Sequence, residues 1–233
     1  MKIALLGYGK MGKTIEQLAI KRGHEIVLKV DKDQHDYDIT KADVAIDFSI
    51  PTAAVSNISK CLEHHVPIIS GTTGWLDQYE KITDLCKAKN GAFIYASNFS
   101  LGVNIFFELN EYLAKMMGQF DQYTVGIEEV HHTQKLDAPS GTAISLAEGI
   151  IKNGIHDDWV LDKKEAGKIS IKAVRTPNVP GTHTISYTSA VDTIDITHTA
   201  HSREGFALGA VIAAEWIIGK KGVFSMRDVL NIA

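Results

Sequence analysis

Ile3-Ala4-Leu5-Leu6-Gly7-Tyr8-Gly9-Lys10-Met11-Gly12, at the head of a 233-residue chain, is the stretch whose reading decides the fold. Ile3 to Leu6 is wholly apolar, which suits a strand buried on both faces of a parallel sheet. Gly7 ends it. From Met11 to Lys21 the apolar positions Met11, Ile15, Leu18 and Ala19 recur at helical spacing, and Gly23 supplies a C-terminal stop. The segment predicts strand, glycine turn, helix, and in that context GxGxxG acquires a mechanical meaning. Gly7 permits a tight turn, Gly9 removes the side chain where a pyrophosphate must approach the backbone, and Gly12 lets the helix lie close to the strand. Free amides at the helix N-terminus then bind the phosphates. Asp31, ending the second apolar run Ile26 to Val30, is placed to accept hydrogen bonds from an adenosine ribose. Lys32 beside it offers a charge for a 2′-phosphate, without the two-pronged grip of arginine. The predicted cofactor is NADH or NADPH with some preference for NADH; a flavin or another nucleotide at the same turn is the alternative.

Outward from this turn, Val44 to Phe48, Val66 to Ser70 and Ala92 to Ala96 are further β-prone runs, and Thr52 to His64 and Trp75 to Lys89 read as two-faced helices between them. Such alternation predicts an α/β fold, a Rossmann-type doubly wound parallel sheet. Asp31 to Asp43 is polar and holds no convincing helix. The loops Gly71-Thr72-Thr73 and Ala96-Ser97-Asn98-Phe99 follow the fourth and fifth strands, at the sheet edge where ligands bind in open α/β folds. They are candidates for the nicotinamide half, although taken alone they read better as ordinary Gly/Ser turn chemistry.

After Leu101 the rhythm changes to a long helix, Val103 to Met117, a strand of alternating character, Tyr123 to Val130, a polar loop, and a helix from Thr142 to Lys152. Three β-rich stretches follow, Ile169 to Val174, His183 to Thr188 and Ile194 to Thr199. A second α+β domain with a mixed or antiparallel sheet is expected from about Phe99. The last long helix, Arg203 to Ile218, is rich in Ala and Gly, and the sequence assigns it to neither domain.

Composition narrows the function. With 45% hydrophobic and 22% charged residues the chain has the balance of a folded globular protein throughout. A formal net charge of -4 provides no general basic field, so nucleic acid is not expected as a partner. Two isolated cysteines, Cys61 and Cys86, indicate neither a disulfide framework nor a cysteine metal site and fit a reducing compartment. The opening apolar run is too short for a signal-peptide core and no run spans a membrane, so a cytoplasmic protein is expected.

The most informative segment for chemistry is Glu128-Glu129-Val130-His131-His132-Thr133-Gln134-Lys135-Leu136-Asp137-Ala138-Pro139-Ser140-Gly141-Thr142-Ala143. Two histidines and a lysine end a strand, and a Pro-Ser-Gly-Thr turn opens a helix. Unpaired amides and hydroxyls at a positive helix end suit a carboxylate. Histidine is the side chain best suited to donate a proton near neutral pH. Read without context, the same pair is simply a polar strand end, and no metal is expected because neighbouring strand residues point to opposite faces.

These segments together resemble the dihydrodipicolinate reductases, now called 4-hydroxy-tetrahydrodipicolinate reductases, of the diaminopimelate route to lysine. The resemblance runs through Gly7 to Gly12, Gly71-Thr72-Thr73-Gly74, Asn98-Phe99-Ser100-Leu101-Gly102-Val103-Asn104, His131-His132 with Asp137 to Ala143, Arg203-Glu204-Gly205-Phe206-Ala207 and Met226-Arg227-Asp228-Val229-Leu230. It implies a C-terminal stretch that returns to the first domain, giving a dinucleotide domain of residues 1–98 plus 203–233 and a substrate and oligomerisation domain of residues 99–202 that assembles four subunits. It implies His131 as general acid, Lys135 as the residue that binds and supports the substrate, and His132, Gly141 and Thr142 as contacts for a small cyclic dicarboxylate. Gly7, Tyr8, Gly9, Lys10, Met11, Gly12, Asp31, Lys32, Gly71, Thr72, Thr73, Ala96, Ser97, Asn98 and Phe99 would hold the cofactor. Thr133 and Gln134 stand where many members carry Arg and His, so the basic field over the dicarboxylate is expected to be weaker. An aspartate-type amino-acid dehydrogenase and a non-catalytic dinucleotide sensor are the competing readings.

Overall fold

The computed structural model describes residues 1–31, 34, 36–154, 156–202 and 204–232. The chain forms two compact units, Met1–Leu101 with Glu204–Ala233, and Gly102–Arg203.

The first unit alternates β1 (Lys2–Leu6), α1 (Lys10–Lys21), β2 (Glu25–Val30), β3 (Val44–Asp47), α2 (Pro51–Glu63), β4 (Ile68–Ser70), α3 (Tyr79–Ala88) and β5 (Ala92–Tyr95). Its sheet is parallel throughout, in the order β11 (Gly222–Phe224), β5, β4, β3, β1, β2. Burial on both faces follows from the strand period of two: Ile3 and Leu5 join the core with α1 residues Ile15 and Ala19, while Ala4 and Leu6 join that with α2 residues Ile58 and Leu62. Register then positions the site. Val30 pairs Leu6, Leu6 pairs Asp47, Asp47 pairs Ser70 and Ser70 pairs Tyr95. Five strands thus end in one row, and the loops that follow them open from one edge.

The first unit also receives the C-terminal stretch. The helix α6 (Glu204–Ile217) buries Ala207, Ala210, Ala213 and Ala214, and its Gly209 lies against the chain at Phe99, where an added Cβ would sit 1.7 Å from the carbonyl oxygen. The predicted start at Arg203 lies outside the described residues. Beyond it, β11 (Gly222–Phe224) adds to β5 and the four-residue α7 (Met226–Val229) follows. Neither was legible in the sequence, because three or four residues are too few to show a period. Between Asp31 and Asp43 the described residues contain only a 3₁₀ turn, Ile39–Lys41.

The second unit holds α4 (Leu101–Met117), of which Leu101 belongs to the first unit, then β6 (Thr124–His131), α5 (Gly141–Asn153), β7 (Asp158–Leu161), β8 (Lys168–Arg175), β9 (Gly181–Thr188) and β10 (Thr193–Ala200). The sheet is mixed, in the order β10-β9-β6-β8-β7: β6, β8 and β7 run parallel, and β9 runs antiparallel to β6 and β10. The strand β7 was not foreseen, since a short half-exposed edge strand carries no alternation. In β6, Val125, Ile127, Glu129 and His131 share the buried face. Apolar Val125 and Ile127 pack with α4 and α5 residues Phe106, Leu146 and Ile150, so the strand end carries a charged residue and a histidine into the same layer.

Candidate functional site

In the first unit the glycine turn has the shape of a cradle. Gly7 sits at φ +96°, and a Cβ there would lie 2.1 Å from the Phe48 carbonyl oxygen, so turn geometry and packing both demand glycine. A Cβ on Gly12 would lie 2.3 Å from the Gly7 carbonyl oxygen, which is the close approach of helix to turn. Gly9 differs: its Cβ would project into open space. A cavity of about 230 Å³ lies there, lined among others by Gly7, Tyr8, Gly9, Asp31, Gln34 and Asn57. Asp31 at the end of β2 therefore shares one concavity with the turn, as a ribose contact requires. Tyr8 donates to Glu16, which also pairs with Lys29. Lys10 opens α1, while Met11 packs partly into the core. Lys32 lies outside the described residues.

The loops after β3 and β4 are braced from below. Asp47, fully buried, accepts from the hydroxyls of Ser49, Ser70 and Thr72 at 2.7, 2.8 and 2.7 Å and from the Asn57 amide at 3.0 Å. Burial pushes its pKa up while the four donors pull it down, and burial prevails. The Thr72 hydroxyl also accepts from the Ser49 amide at 2.8 Å, so its side chain is committed to the protein. Thr73 is exposed, and Gly71 lies against the Phe48 ring, where a Cβ would sit 2.3 Å from it. Phe99 is buried against Phe48 with ring centroids 5.8 Å apart, which leaves its backbone, not its ring, for a ligand. Ala96 and Asn98 are half-buried and Ser97 is exposed; Asn98 Oδ1 accepts from the Ser100 amide at 2.9 Å.

The second unit gathers its polar groups at the end of β6. Strand register sets Arg175 of β8 opposite His131 and His183 of β9 opposite Glu129. The Glu129 carboxylate is fully buried, and its Oε1 accepts from the Ser140 amide and from the Arg175 guanidinium, each at 3.0 Å. Its Oε2 lies 3.0 Å from His131 Nδ1 and 3.9 Å from His183 Nε2. Burial by itself would raise the pKa of Glu129, but His131, Ser140 and Arg175 together bring it down to about 2. Burial, reinforced by the charge of His131 against the opposing Glu129, takes His183 down to about 4, so it is neutral at neutral pH. The His131 and His183 rings meet edge to face, with centroids 5.0 Å apart.

Arg175 also ties down the loop, donating to the backbone oxygens of Lys135 at 3.3 Å and Asp137 at 2.6 Å. Lys135, half-buried, donates to Asp137 at 2.6 Å. Ser140 caps α5 by accepting from the Ala143 amide at 3.2 Å, and its hydroxyl lies 3.1 Å from His183 Nε2. Gly141, exposed with open space over its Cα, and half-buried Thr142 begin the helix, so its first amides are presented outward. His132 is half-buried, while Thr133 and Gln134 are exposed.

The structure thus brings His131, His132, Lys135, Gly141 and Thr142 onto one strand end, loop and helix start of the second unit. The turn, Asp31 and the two loops belong to the first. Sequence reasoning missed Glu129, Arg175, His183 and Asp47. Glu129 carried one signal, since it lies two residues before His131 and so shares its strand face. Glu129, His131 and His183 each offer a ligand atom within 4.8 Å of the others, a set of the kind that holds a metal ion. Arg175 and the Ser140 amide already meet the charge of that carboxylate, which weakens the site for a cation.

Comparison with known proteins bears on both units. Residues 1–99 match the family described as "Dihydrodipicolinate reductase, N-terminus", and residues 102–230 match "Dihydrodipicolinate reductase, C-terminus". The chain is 57% identical to a 4-hydroxy-tetrahydrodipicolinate reductase of Christiangramia forsetii, over 99% of this chain and 98% of that one. It is 37% identical to the enzyme of the same name from Archaeoglobus fulgidus, over 99% of this chain and 100% of the other. Among solved structures it resembles the dipicolinate-bound dihydrodipicolinate reductase of Paenisporosarcina sp. TG-14, with a TM-score of 0.79 and 24% identity over 100% of this chain and 99% of that one, a likeness of fold.

Proposed function

The chain belongs to the dihydrodipicolinate reductase family, and on that premise we propose that it reduces 4-hydroxy-tetrahydrodipicolinate to tetrahydrodipicolinate with NADH or NADPH, in the diaminopimelate route to lysine. The observation that carries the reading is the pair of sites on one chain: a dinucleotide cradle after β1 and an anion-binding loop after β6. The cradle fits the cofactor because Gly9 lines the cavity and an added Cβ on it would meet nothing within 4 Å, leaving the backbone bare as a pyrophosphate needs. Family membership at this identity sets aside the aspartate-type dehydrogenase and the dinucleotide sensor.

When bound, the reduced nicotinamide supplies the hydride, which goes to C4 of the conjugated cyclic imine left when the substrate loses water. The protein supplies positions and a proton. We assign the two substrate carboxylates to the α5 amides at Gly141 and Thr142, to His132 and to the Lys135 ammonium. A substrate carboxylate would exchange with Asp137, which holds Lys135 at the surface. His131 donates the proton that the enamine takes up. Asp31 holds the ribose, with NADH preferred and NADPH accepted. Lys10, Thr73, Ala96, Ser97, Asn98 and the Phe99 backbone complete the proposed cofactor contacts, and Thr72 acts by holding its loop on Asp47. A cytoplasmic setting fits the two free, buried thiols of Cys61 and Cys86, and a homotetramer is the proposed assembly.

The test is direct. The product of the preceding synthase, given to purified protein with either reduced nicotinamide, should produce a fall in absorbance at the nicotinamide band. No fall with either cofactor from well-folded protein would refute the reading.

A further inference from the structure

Glu129 has a role that the proposed reaction does not yet use. Its Oε1 is satisfied twice, whereas Oε2, buried, has no hydrogen bond among the described residues, and neither has His131 Nδ1. These two atoms lie 3.0 Å apart, within hydrogen-bond distance but out of line for one. A small turn of the imidazole aligns them, the tightening expected of catalytic hydrogen bonds when substrate seats. On the other side of the ring, Nε2 faces Gly181: a Cβ there would lie 3.1 Å from it. Glycine at the head of β9 keeps that edge uncovered.

We propose that Glu129 is a positioning residue for His131, whose buried carboxylate accepts a hydrogen bond from Nδ1–H so that Nε2 presents the transferable proton past Gly181. This rests on the reading of His131 as the proton donor. The arrangement is that of an imidazole fixed by a buried acid, in which one nitrogen is oriented by what the other touches. Arg175 and the Ser140 amide hold Oε1 and so aim Oε2 at the ring. The groups facing His131 are Glu129 on its own strand, Arg175 opposite in register on β8, and His183 on β9, with Lys135 acting on His183 from the loop. Of these only Glu129 is negative.

Glu129→Gln keeps the shape and removes the charge. Part of the 10²- to 10⁴-fold that a positioned acid contributes should go with it, a fall in kcat of about 10- to 100-fold with KM little changed. The limb on which activity falls as pH rises should move about one unit to lower pH, because the protonated ring has lost its counter-charge. Gly181→Val, which covers Nε2 without touching the carboxylate, should lower kcat and leave that limb in place. In the unsubstituted protein, nitrogen-15 imidazole spectra should show the neutral His131 ring protonated on Nδ1, a readout that needs neither turnover nor a variant that folds. A ring protonated on Nε2 alone, or a Glu129→Gln enzyme with unchanged kcat and unchanged pH limb, overturns the proposal alone. Absence of turnover by the unsubstituted enzyme overturns the functional reading, and this proposal with it.

Discussion

The Thr72 hydroxyl stands between two strand ends, donating to Asp47 Oδ2 at 2.7 Å and accepting from the Ser49 amide at 2.8 Å. It fastens the loop after β4 to the loop after β3, beside the cradle that Ser49 also lines. Asp47→Ala would strand four donors, of which those of Asn57, Ser70 and Thr72 are buried and cost about 1–3 kcal/mol each when left unmade, so urea unfolding should show a loss of about 3 kcal/mol or more. Thr72→Val removes two links, the one donated to Asp47 and the one accepted from the Ser49 amide, yet leaves the other three donors on Asp47, and should cost about 1–2 kcal/mol. Equal losses in the two variants would mean that Asp47 does not organise the network.

Gly9 and Gly12 should separate binding from folding. The Gly9 side-chain position is open, so Gly9→Val should leave stability within about 0.5 kcal/mol while raising the Kd for NADH by at least about tenfold. A side chain on Gly12 meets a backbone carbonyl, so Gly12→Val should lower Tm markedly. Calorimetry with NADH and thermal melts on both proteins distinguish the two roles, and unimpaired NADH binding by Gly9→Val would remove the cradle from the cofactor site.

Acid should weaken the second unit in two stages. The folded pKa of His183 is lowered from 6.5 to about 4, so its contribution is complete above about pH 6.5 and is lost as pH falls to about 4. Glu129, lowered from 4.5 to about 2, adds a further loss below about pH 4.5. Each amounts to a few kcal/mol at one pKa unit per 1.36 kcal/mol. Stability measured by urea at several pH values should fall from pH 7 to pH 4, and His183→Gln should flatten that slope. A protein more stable at pH 5 than at pH 7 would contradict the sign.

His131→Ala should lower kcat about 10²- to 10⁴-fold, the usual worth of a positioned acid, with NADH affinity near normal. Lys135→Ala should raise KM for the dicarboxylate as well, because its ammonium is assigned to the substrate. Steady-state kinetics with calorimetric NADH titration check both, and full turnover by His131→Ala would end its assignment as donor.

Local patterns made much of this legible. The glycine turn, the acid ending β2 and the alternation of apolar runs with two-faced helices follow from neighbours along the chain, and the cavity joins Gly7, Gly9 and Asp31 as that pattern requires. Thr72 and Phe99 show the limit. Both stand in loops that the sequence marks for ligand contact, yet one side chain is spent on Asp47 and the other on Phe48. A motif places a residue on an edge without saying which way its side chain turns.

What the sequence determined by itself was the set of elements and the loops that carry the chemistry, since helix and strand periods, glycine turns and caps are short-range properties. Only the tertiary structure decided that Glu129 meets Arg175 and His183. Those contacts depend on the register of β6 against β8 and β9, which places residues 46 and 54 positions apart side by side. Register is set by the whole buried face of a sheet, and a carboxylate becomes a fixed partner for an imidazole only after that face has closed over it.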